Sequence, residues 1–304
     1  MGALLALASA ACYGIVDFAG GLLSRRVHFT VVTFLGQFGG LLLALVVALA
    51  ATVPVGSVRA VDFAWGAASG VGSAVAMQFL NRGLTRGAMS VVIPVSAVTG
   101  VALSVLCGVL FLGDRPTALA WLGIGVTVPA LWLVSAGGTR GGRTGGGRAG
   151  GGRTGGGWAD VQAAEPAPGS RVPVDGLIAS AGVAVQYIAL AQADPASGVW
   201  PVAAGRAAAV LLLLPNACRH AAAFRQPARL SGLAVLIGAG AALGLILYLW
   251  AAQQQMLAIA VVLASLYPAV PTVLGVATLG ERVTRAQTTG LVGAVVAIVL
   301  LTLG

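Results

Sequence analysis

Two charged side chains lie inside long apolar segments, where a charge is costly unless it has a partner or a function. Asp17 lies in the last third of the first apolar segment, and Arg206 lies in the first half of the seventh. Within a membrane, a carboxylate can carry a proton or meet a cation, and a guanidinium can bind an anion. The pattern therefore predicts a polar site inside an apolar protein.

Three uncharged polar residues accompany these charges when depth is counted along each helix at about 1.5 Å per residue. On this count Gln37 and Asp17 lie at a similar depth, roughly 9–10 Å from one membrane face. Gln186 and Arg206 follow them at an offset of 169 residues and fall at the mirrored depth, and Tyr187 adds an aromatic hydroxyl. We predict a substrate-binding site in two polar layers, one on each side of the midplane, formed by Asp17, Gln37, Gln186, Tyr187 and Arg206.

The alternative interpretation of the two charges is structural. A buried salt bridge or hydrogen bond between Asp17 and Arg206 would hold the first and seventh segments together. Their depths differ by about 10 Å on the same count, so direct pairing requires tilted or kinked helices. Asp17 is also close enough in sequence to meet Arg25 or Arg26 at the end of its segment. Both interpretations stay open at the level of sequence.

The elements that position these residues are membrane helices. The chain has 304 residues, of which 58% are hydrophobic and 8% charged, whereas a soluble domain carries about 25% charged residues. A bilayer core about 30 Å thick requires helices of about 20 apolar residues. Ten such segments occur, at roughly 2–23, 30–53, 63–80, 88–112, 118–136, 174–192, 198–218, 231–252, 256–280 and 288–303. The predicted fold class is an all-α polytopic membrane protein with ten transmembrane helices.

The chain also repeats itself. Residues 113–117 (GDRPT) and 280–284 (GERVT) each close a long apolar segment at an offset of 167 residues, and we expect their acidic residues to cap helices. A repeat with an odd number of spans must be inverted in its second copy. Residues 1–136 and 173–304 are therefore predicted to be two inverted five-helix repeats. The Gly- and Arg-rich residues 137–172 are predicted to be a flexible linker, with RNA or anionic headgroup binding as the alternative.

The net charge of +9 comes from arginines that are distributed unevenly among the loops. Loops after even-numbered segments hold only Arg59 and Arg115. Loops after odd-numbered segments hold fourteen: Arg25, Arg26, Arg82, Arg86, Arg140, Arg143, Arg148, Arg153, Arg171, Arg219, Arg225, Arg229, Arg282 and Arg285. The positive-inside rule then predicts that the odd loops are cytoplasmic and that both termini lie outside.

Several stretches of the sequence resemble a known family. Residues 266–284 (LYPAVPTVLGVATLGERVT) and the one apolar segment that follows are similar to the end of an EamA repeat of the drug/metabolite transporter superfamily. Residues 13–18 (YGIVDF) and Arg206 also resemble that family. The first repeat departs from the pattern, because Val101 stands where the second has Pro268 and Asp114 replaces the glutamate. Family members are usually described with both termini cytoplasmic, opposite to the arginine distribution.

The resemblance implies a secondary transporter that moves a small metabolite or amphipathic compound by alternating access, in a plasma membrane, here a bacterial cytoplasmic membrane. Arg206 would bind an anionic substrate group or balance Asp17, and proton coupling would run through Asp17 or be absent. We expect the small-molecule substrate and the lipid bilayer as partners, with no nucleic acid, and a homodimer is left open.

A non-transporting scaffold or an intramembrane enzyme is the alternative class. The sequence offers no nucleotide-binding loop, paired carboxylates or Ser/His/Asp set, and His28 and His220 lie far apart in sequence. We therefore expect no enzymatic activity, no catalytic residues, no cofactor and no metal site.

Overall fold

The fold is described by a computed structural model that covers residues 1–24, 26–51, 53–85, 105, 108–109, 113–136, 172–267, 269–270, 273–274, 277 and 285–303. These residues contain no β-strand. They form nine α-helices: α1 (Gly2–Ser24), α2 (Phe29–Ala50), α3 (Ala60–Thr85), α4 (Ala118–Ala136), α5 (Val172–Ala191), α6 (Trp200–Arg219), α7 (Ala228–Ala252), α8 (Leu257–Ala264) and α9 (Arg285–Leu303). Short 3₁₀ turns lie in three of the loops, at Val55–Ser57, Pro195–Ser197 and Ala221–Phe224.

The helices follow the apolar segments of the sequence. By length and composition, α1, α2, α6 and α7 can each cross a membrane, and shorter apolar helices occupy residues 118–133, 177–191 and 288–303. Within the described residues, the all-α class is confirmed, and the apolar helices agree with the predicted polytopic membrane protein. Most of the predicted fourth segment, the linker up to residue 171 and much of the ninth segment after α8 lie outside the described residues. The count of ten helices stays a prediction.

Most helix packing joins the first half of the chain to the second. Helix α1 packs against α7 and α8, α2 against α6 and α7, α3 against α5 and α6, and α4 against α9. Leaving α8 aside, this set of pairs is unchanged when α1, α2, α3 and α4 are exchanged for α5, α6, α7 and α9. Such exchange symmetry is the packing that a two-fold relation between two halves predicts.

Glycines allow two of these helix pairs to touch through their backbones. A methyl group on Gly238 of α7 would overlap the carbonyl group of Gly36 on α2, and one on Gly70 of α3 would overlap that of Gly205 on α6. Small residues four apart allow such approach in lipid. Gly36 and Gly40 on α2 have this spacing, as do Gly66 and Gly70 on α3.

The interior and the outer surface differ in the way that a membrane protein requires. Every residue of α8 is buried, and it belongs to an apolar core shared with α5, α6 and α7. On the outside, large apolar side chains such as Leu211, Leu236 and Val295 are exposed. In a bilayer this outer surface is covered by lipid, which is as apolar as the side chains themselves.

Candidate functional site

Arg206 lies at the centre of the protein, where α6 crosses α2. Its side chain is 5% exposed, and its Nη1 donates a hydrogen bond of 2.7 Å to Oε1 of Gln37, which is equally buried. Gly40, one turn after Gln37 on α2, makes room for the arginine, because a Cβ at Gly40 would lie 3.2 Å from the Cδ and 3.3 Å from the Nε of Arg206. The buried guanidinium therefore spans from one half of the chain to the other.

The contact between Arg206 and Gln37 corrects the predicted arrangement of two separate layers. Depth counting placed these two residues on opposite sides of the midplane, whereas the structure joins them by a direct hydrogen bond. The count assumed straight helices that all begin at the membrane surface, and it ignored side-chain length. An arginine reaches far along its own stem, and helices tilt in membranes.

Tyr13 and Gln186 complete a group that we call the Arg206 cluster (Tyr13, Gln37, Gln186 and Arg206). The hydroxyl of Tyr13, on α1, lies close to the side chains of Gln186 and Arg206. Gln186, on α5, is 9% exposed. The ring of Tyr13 fits against α7 because Gly244 has no side chain, and a Cβ there would lie 3.1 Å from the ring. The cluster thus combines four helices and both halves of the chain.

The other three tyrosines of the chain lie near enough to Tyr13 to interact with it electrostatically: Tyr187, Tyr248 and Tyr267. The rings of Tyr187 and Tyr248 pack with centroids 4.4 Å apart, and the Tyr248 hydroxyl donates to the backbone carbonyl of Tyr187 at 3.3 Å. Tyr187, predicted as a wall of the site, is buried against Tyr248. Tyr13 and Tyr267 lie near enough to Tyr187 to interact with it electrostatically.

The site predicted from the sequence did not include Tyr13, Tyr248 and Tyr267. A signal was present in the composition, since the chain has only four tyrosines and all of them fall in apolar segments. A tyrosine in such a segment needs a partner for its hydroxyl, so that each was a candidate for the polar interior.

Asp17 lies one turn after Tyr13 on α1. Its side chain is exposed, and it interacts electrostatically with Tyr13, Tyr187 and Tyr267. Within the described residues, both ion pairs involve Arg59. The alternative of a salt bridge between Asp17 and Arg206 therefore has no support in this structure.

A small hollow lies beside Arg206. It is lined by Ser69, Gly70, Ser73, Val202, Gly205, Arg206 and Leu245, and its volume is about 10 Å³. Such a volume holds about one water molecule or one ligand oxygen. Ser69 and Ser73 are buried and bring two hydroxyls of α3 to the same place.

A second polar group ties the two halves together at the membrane face where the even-numbered loops lie, which we call the even-loop end. This Arg59 cluster consists of Arg59, Asp62, Asp194 and Ser197. Asp62 is fully buried and accepts hydrogen bonds from Arg59 Nε (3.0 Å), Arg59 Nη2 (3.1 Å), the Asp194 amide (3.0 Å) and Ser197 Oγ (2.7 Å). Arg59 also pairs with the Asp194 carboxylate at 3.1 Å.

The Arg59 cluster is electrostatically stable. The hydrogen bonds from Arg59 hold the pKa of Asp62 well below its usual range, against the opposing effect of burial. Beside the cluster, Nε1 of Trp200 donates to the backbone carbonyl of Val53 at 3.1 Å, again between the two halves. The even-loop end is thus joined by directional bonds.

The predicted capping role of the first acidic turn residue is confirmed. Oδ2 of Asp114 accepts a hydrogen bond of 2.8 Å from the backbone N–H of Ala258, in the first turn of α8. A carboxylate at a helix N-terminus satisfies an otherwise unpaired N–H group. The cap joins the first half of the chain to the second. Its predicted counterpart Glu281 lies outside the described residues.

His28 and His220, although distant in sequence, are neighbours in the fold, with rings stacked at a centroid distance of 5.3 Å. Among the residues that the structure describes, no group of three His, Cys, Asp or Glu side chains is arranged to hold a metal ion.

The family described as EamA-like transporter family matches residues 1–136 and 175–303. One solved structure, described as "Crystal structure of protein", is similar over 99% of this chain and 96% of its own, with 16% sequence identity and a TM-score of 0.69. That likeness shows a shared fold. No curated protein matches the chain.

Proposed function

The chain belongs to the EamA-like transporter family, and on this premise we propose that it is a secondary transporter, which moves a small metabolite or amphipathic compound across the plasma membrane by alternating access. The observation that carries the proposal is the buried hydrogen bond between Arg206 and Gln37. It joins the two matched segments at the centre of the protein. Transporters built from inverted repeats hold their substrates at such a boundary.

We propose that the two segments are inverted five-helix repeats, with residues 137–172 as the linker between them. The exchange symmetry of the helix pairs supports this division. Gln37 and Arg206 occupy equivalent places at the offset of 169 residues, and they contact each other. A residue touches its own counterpart only near the axis that relates two halves. The substrate site is therefore proposed to lie on that axis.

The Arg59 cluster supports alternating access because its hydrogen bonds and ion pair join the two halves at the even-loop end, a face that opens in such a cycle. Its bonds connect the loop before α3 to the loop before α6. In this conformation the even-loop end is held together. A transport cycle requires that these bonds break when the site opens to that side.

The test is solute exchange by the purified full-length protein in liposomes. An untargeted metabolite comparison of cells that lack or overproduce the protein identifies candidate solutes. We expect saturable uptake of one of them, stimulated when the same solute is loaded inside. A correctly folded protein that exchanges none of the candidates would contradict the proposal and favour the non-transporting scaffold.

Asp17 is proposed to carry any proton coupling. It is exposed and lies beside three tyrosines of the site. The variant Asp17→Asn should then exchange solute at the normal rate but lose accumulation driven by a proton gradient. Accumulation that is unchanged in this variant would remove Asp17 from the coupling mechanism.

A further inference from the structure

Two buried polar groups of the Arg206 cluster have donors without partners. Within the described part of the chain, neither Nε of Arg206 nor the hydroxyl of Tyr13 makes a hydrogen bond of good geometry, although both atoms are buried and the hydroxyl lies near Arg206 and Gln186. Arg206 is 5% exposed, and its hydrogen bond goes to the neutral amide of Gln37. Buried donors normally have a hydrogen-bond partner, so two unpaired donors in one cluster require either a ligand or another structural explanation.

Within the described residues, no carboxylate forms an ion pair with Arg206. Asp62 and Asp194 pair with Arg59 at the even-loop end. Asp114 caps α8, and Asp17 forms no ion pair in the described structure. A guanidinium in the interior of a membrane protein is expensive unless a negative group compensates it. The missing component is therefore an anion.

The space beside Arg206 limits the size of this anion. The hollow of about 10 Å³ admits about one oxygen atom and is bordered by the buried residues Ser69 and Ser73. Asp17, one turn from Tyr13, faces the same tyrosines. A second negative charge on the ligand would be repelled by its carboxylate. These features favour a small group with a single negative charge.

We infer that Arg206 and Tyr13 bind a monovalent anionic group, such as the carboxylate of a larger apolar molecule, and that the hollow beside Arg206 admits one oxygen of this group. This inference rests on the proposed function when the anion is part of the transported solute. The same chemistry has a second source, an inorganic anion such as chloride. Either source satisfies the unpaired donors and the buried charge.

The experiment measures binding to the purified full-length protein by isothermal titration calorimetry. The probes are benzoate, the uncharged benzamide of nearly the same shape, chloride and phosphate. We expect benzoate to bind at least about tenfold more tightly than benzamide, because a hydrogen bond to a charged group is worth about that factor. Phosphate should bind weakly. Chloride that competes with benzoate would indicate an inorganic occupant of the same site.

Variants test whether the Arg206 cluster is the part of the protein that binds benzoate. Arg206→Gln should weaken benzoate binding by at least about tenfold, Tyr13→Phe should weaken it by less, and both should leave benzamide unchanged. Arg219→Gln removes an exposed arginine at the end of the same helix and serves as the matched control. If Arg206→Gln does not fold, the Tyr13→Phe variant and the benzoate–benzamide comparison still decide.

Three results would overturn the inference: equal affinity for benzoate and benzamide, benzoate binding that survives in a folded Arg206→Gln variant, or binding of none of the anions. A measurement of solute exchange distinguishes failure of this inference from failure of the proposed function. Exchange restricted to uncharged or cationic solutes would keep the transporter and remove the anion site. Arg206-dependent benzoate binding without any exchange would keep the anion site and remove the transporter.

Discussion

The two ends of the molecule are held by different kinds of contact. At the even-loop end, the buried carboxylate of Asp62 accepts four hydrogen bonds. Two come from the loop of the other half and two from Arg59, which also pairs with that loop. At the opposite, odd-loop end, the halves meet through rings: His28 stacks on His220 at 5.3 Å, and Phe34 meets Phe224 edge-on at 5.8 Å.

This difference has an energetic consequence. A hydrogen bond to a charged group contributes about 1.5–3 kcal/mol, whereas an aromatic pair contributes about 0.5–1.5 kcal/mol. Because Arg59 is more than half exposed, water weakens its share of the network. Even so, several directional bonds on one buried carboxylate exceed two ring contacts. We expect the odd-loop end to separate at a lower cost in free energy than the even-loop end.

The largest effect should come from Asp62→Ala. The substitution leaves the Asp194 amide and Ser197 without their acceptor and leaves Arg59 with the Asp194 carboxylate alone. It should destabilise the contact between the halves by about 2–3 kcal/mol. Spin labels at Ser57 and Ala196, both exposed at this end, should report a longer distance.

The control for this substitution is Asp62→Asn, which keeps an acceptor and should give a smaller change. Unchanged label distances in Asp62→Ala would mean that the Arg59 cluster does not hold the two halves together.

An intermediate effect is expected from Trp200→Phe. The variant loses the bond to the Val53 carbonyl but keeps a ring against Phe63, which lies 6.5 Å from the indole. One neutral hydrogen bond corresponds to about 1 kcal/mol, measurable as a lower thermal midpoint in detergent. Trp250→Phe changes an exposed tryptophan and is the control. An effect as large as that of Asp62→Ala would invert this ranking.

A smaller effect is expected at the odd-loop end from His220→Ala. It removes the stacked ring while His28 keeps its cap on the Thr30 amide, and it should cost about 0.5 kcal/mol. Labels at Arg26 and Ala222 report on this end. His220→Phe, which keeps an aromatic ring, should behave like the parent protein. A large increase in the label distance in His220→Ala would show that the ring contacts stabilise this end by much more than about 0.5 kcal/mol.

The smallest effect should be that of mild acid on the even-loop end. Because Arg59 lowers the pKa of Asp62 in the folded protein, the stabilisation is fully present above the unfolded pKa of about 4. It is lost only as the pH falls through the lower folded value. The distance between labels at Ser57 and Ala196 should therefore not change between about pH 8 and pH 5. A transition in that range would require another titrating group.

The helices themselves could be predicted from the sequence because membrane thickness determines their length. The apolar segments 2–23 and 198–218 correspond to α1 (Gly2–Ser24) and α6 (Trp200–Arg219) within two residues at each end. The cost of burying a charge also identified Arg206 correctly as an interior residue.

The contacts of the site could not be predicted in the same way. Depth counting gives a position along one helix and contains no information on which face meets which neighbour, so the Gln37–Arg206 bond and the position of Tyr13 were missed. The Arg59 cluster was missed for another reason. Its residues lie in or beside short loops more than 130 positions apart. They fall outside the apolar segments, where the cost of burying a charge indicates a functional residue. The signal was Arg59 itself, one of two arginines in the even loops.

The glycines that bring the helices together indicate which part of the protein would stay fixed during the proposed transport cycle. Gly36 directly precedes Gln37, and Gly205 directly precedes Arg206, and both glycines touch the backbone of a helix from the other half. Where two helix backbones are in direct contact, the helices can rotate against each other because no interlocked side chains obstruct the motion. In a rocking motion of the two halves, these contacts would be the pivot, and the ends of the helices would move around it. Displacement grows with distance from a pivot, so in the proposed transport cycle a ligand on Arg206 would keep the same neighbours while the two ends of the helices move farthest.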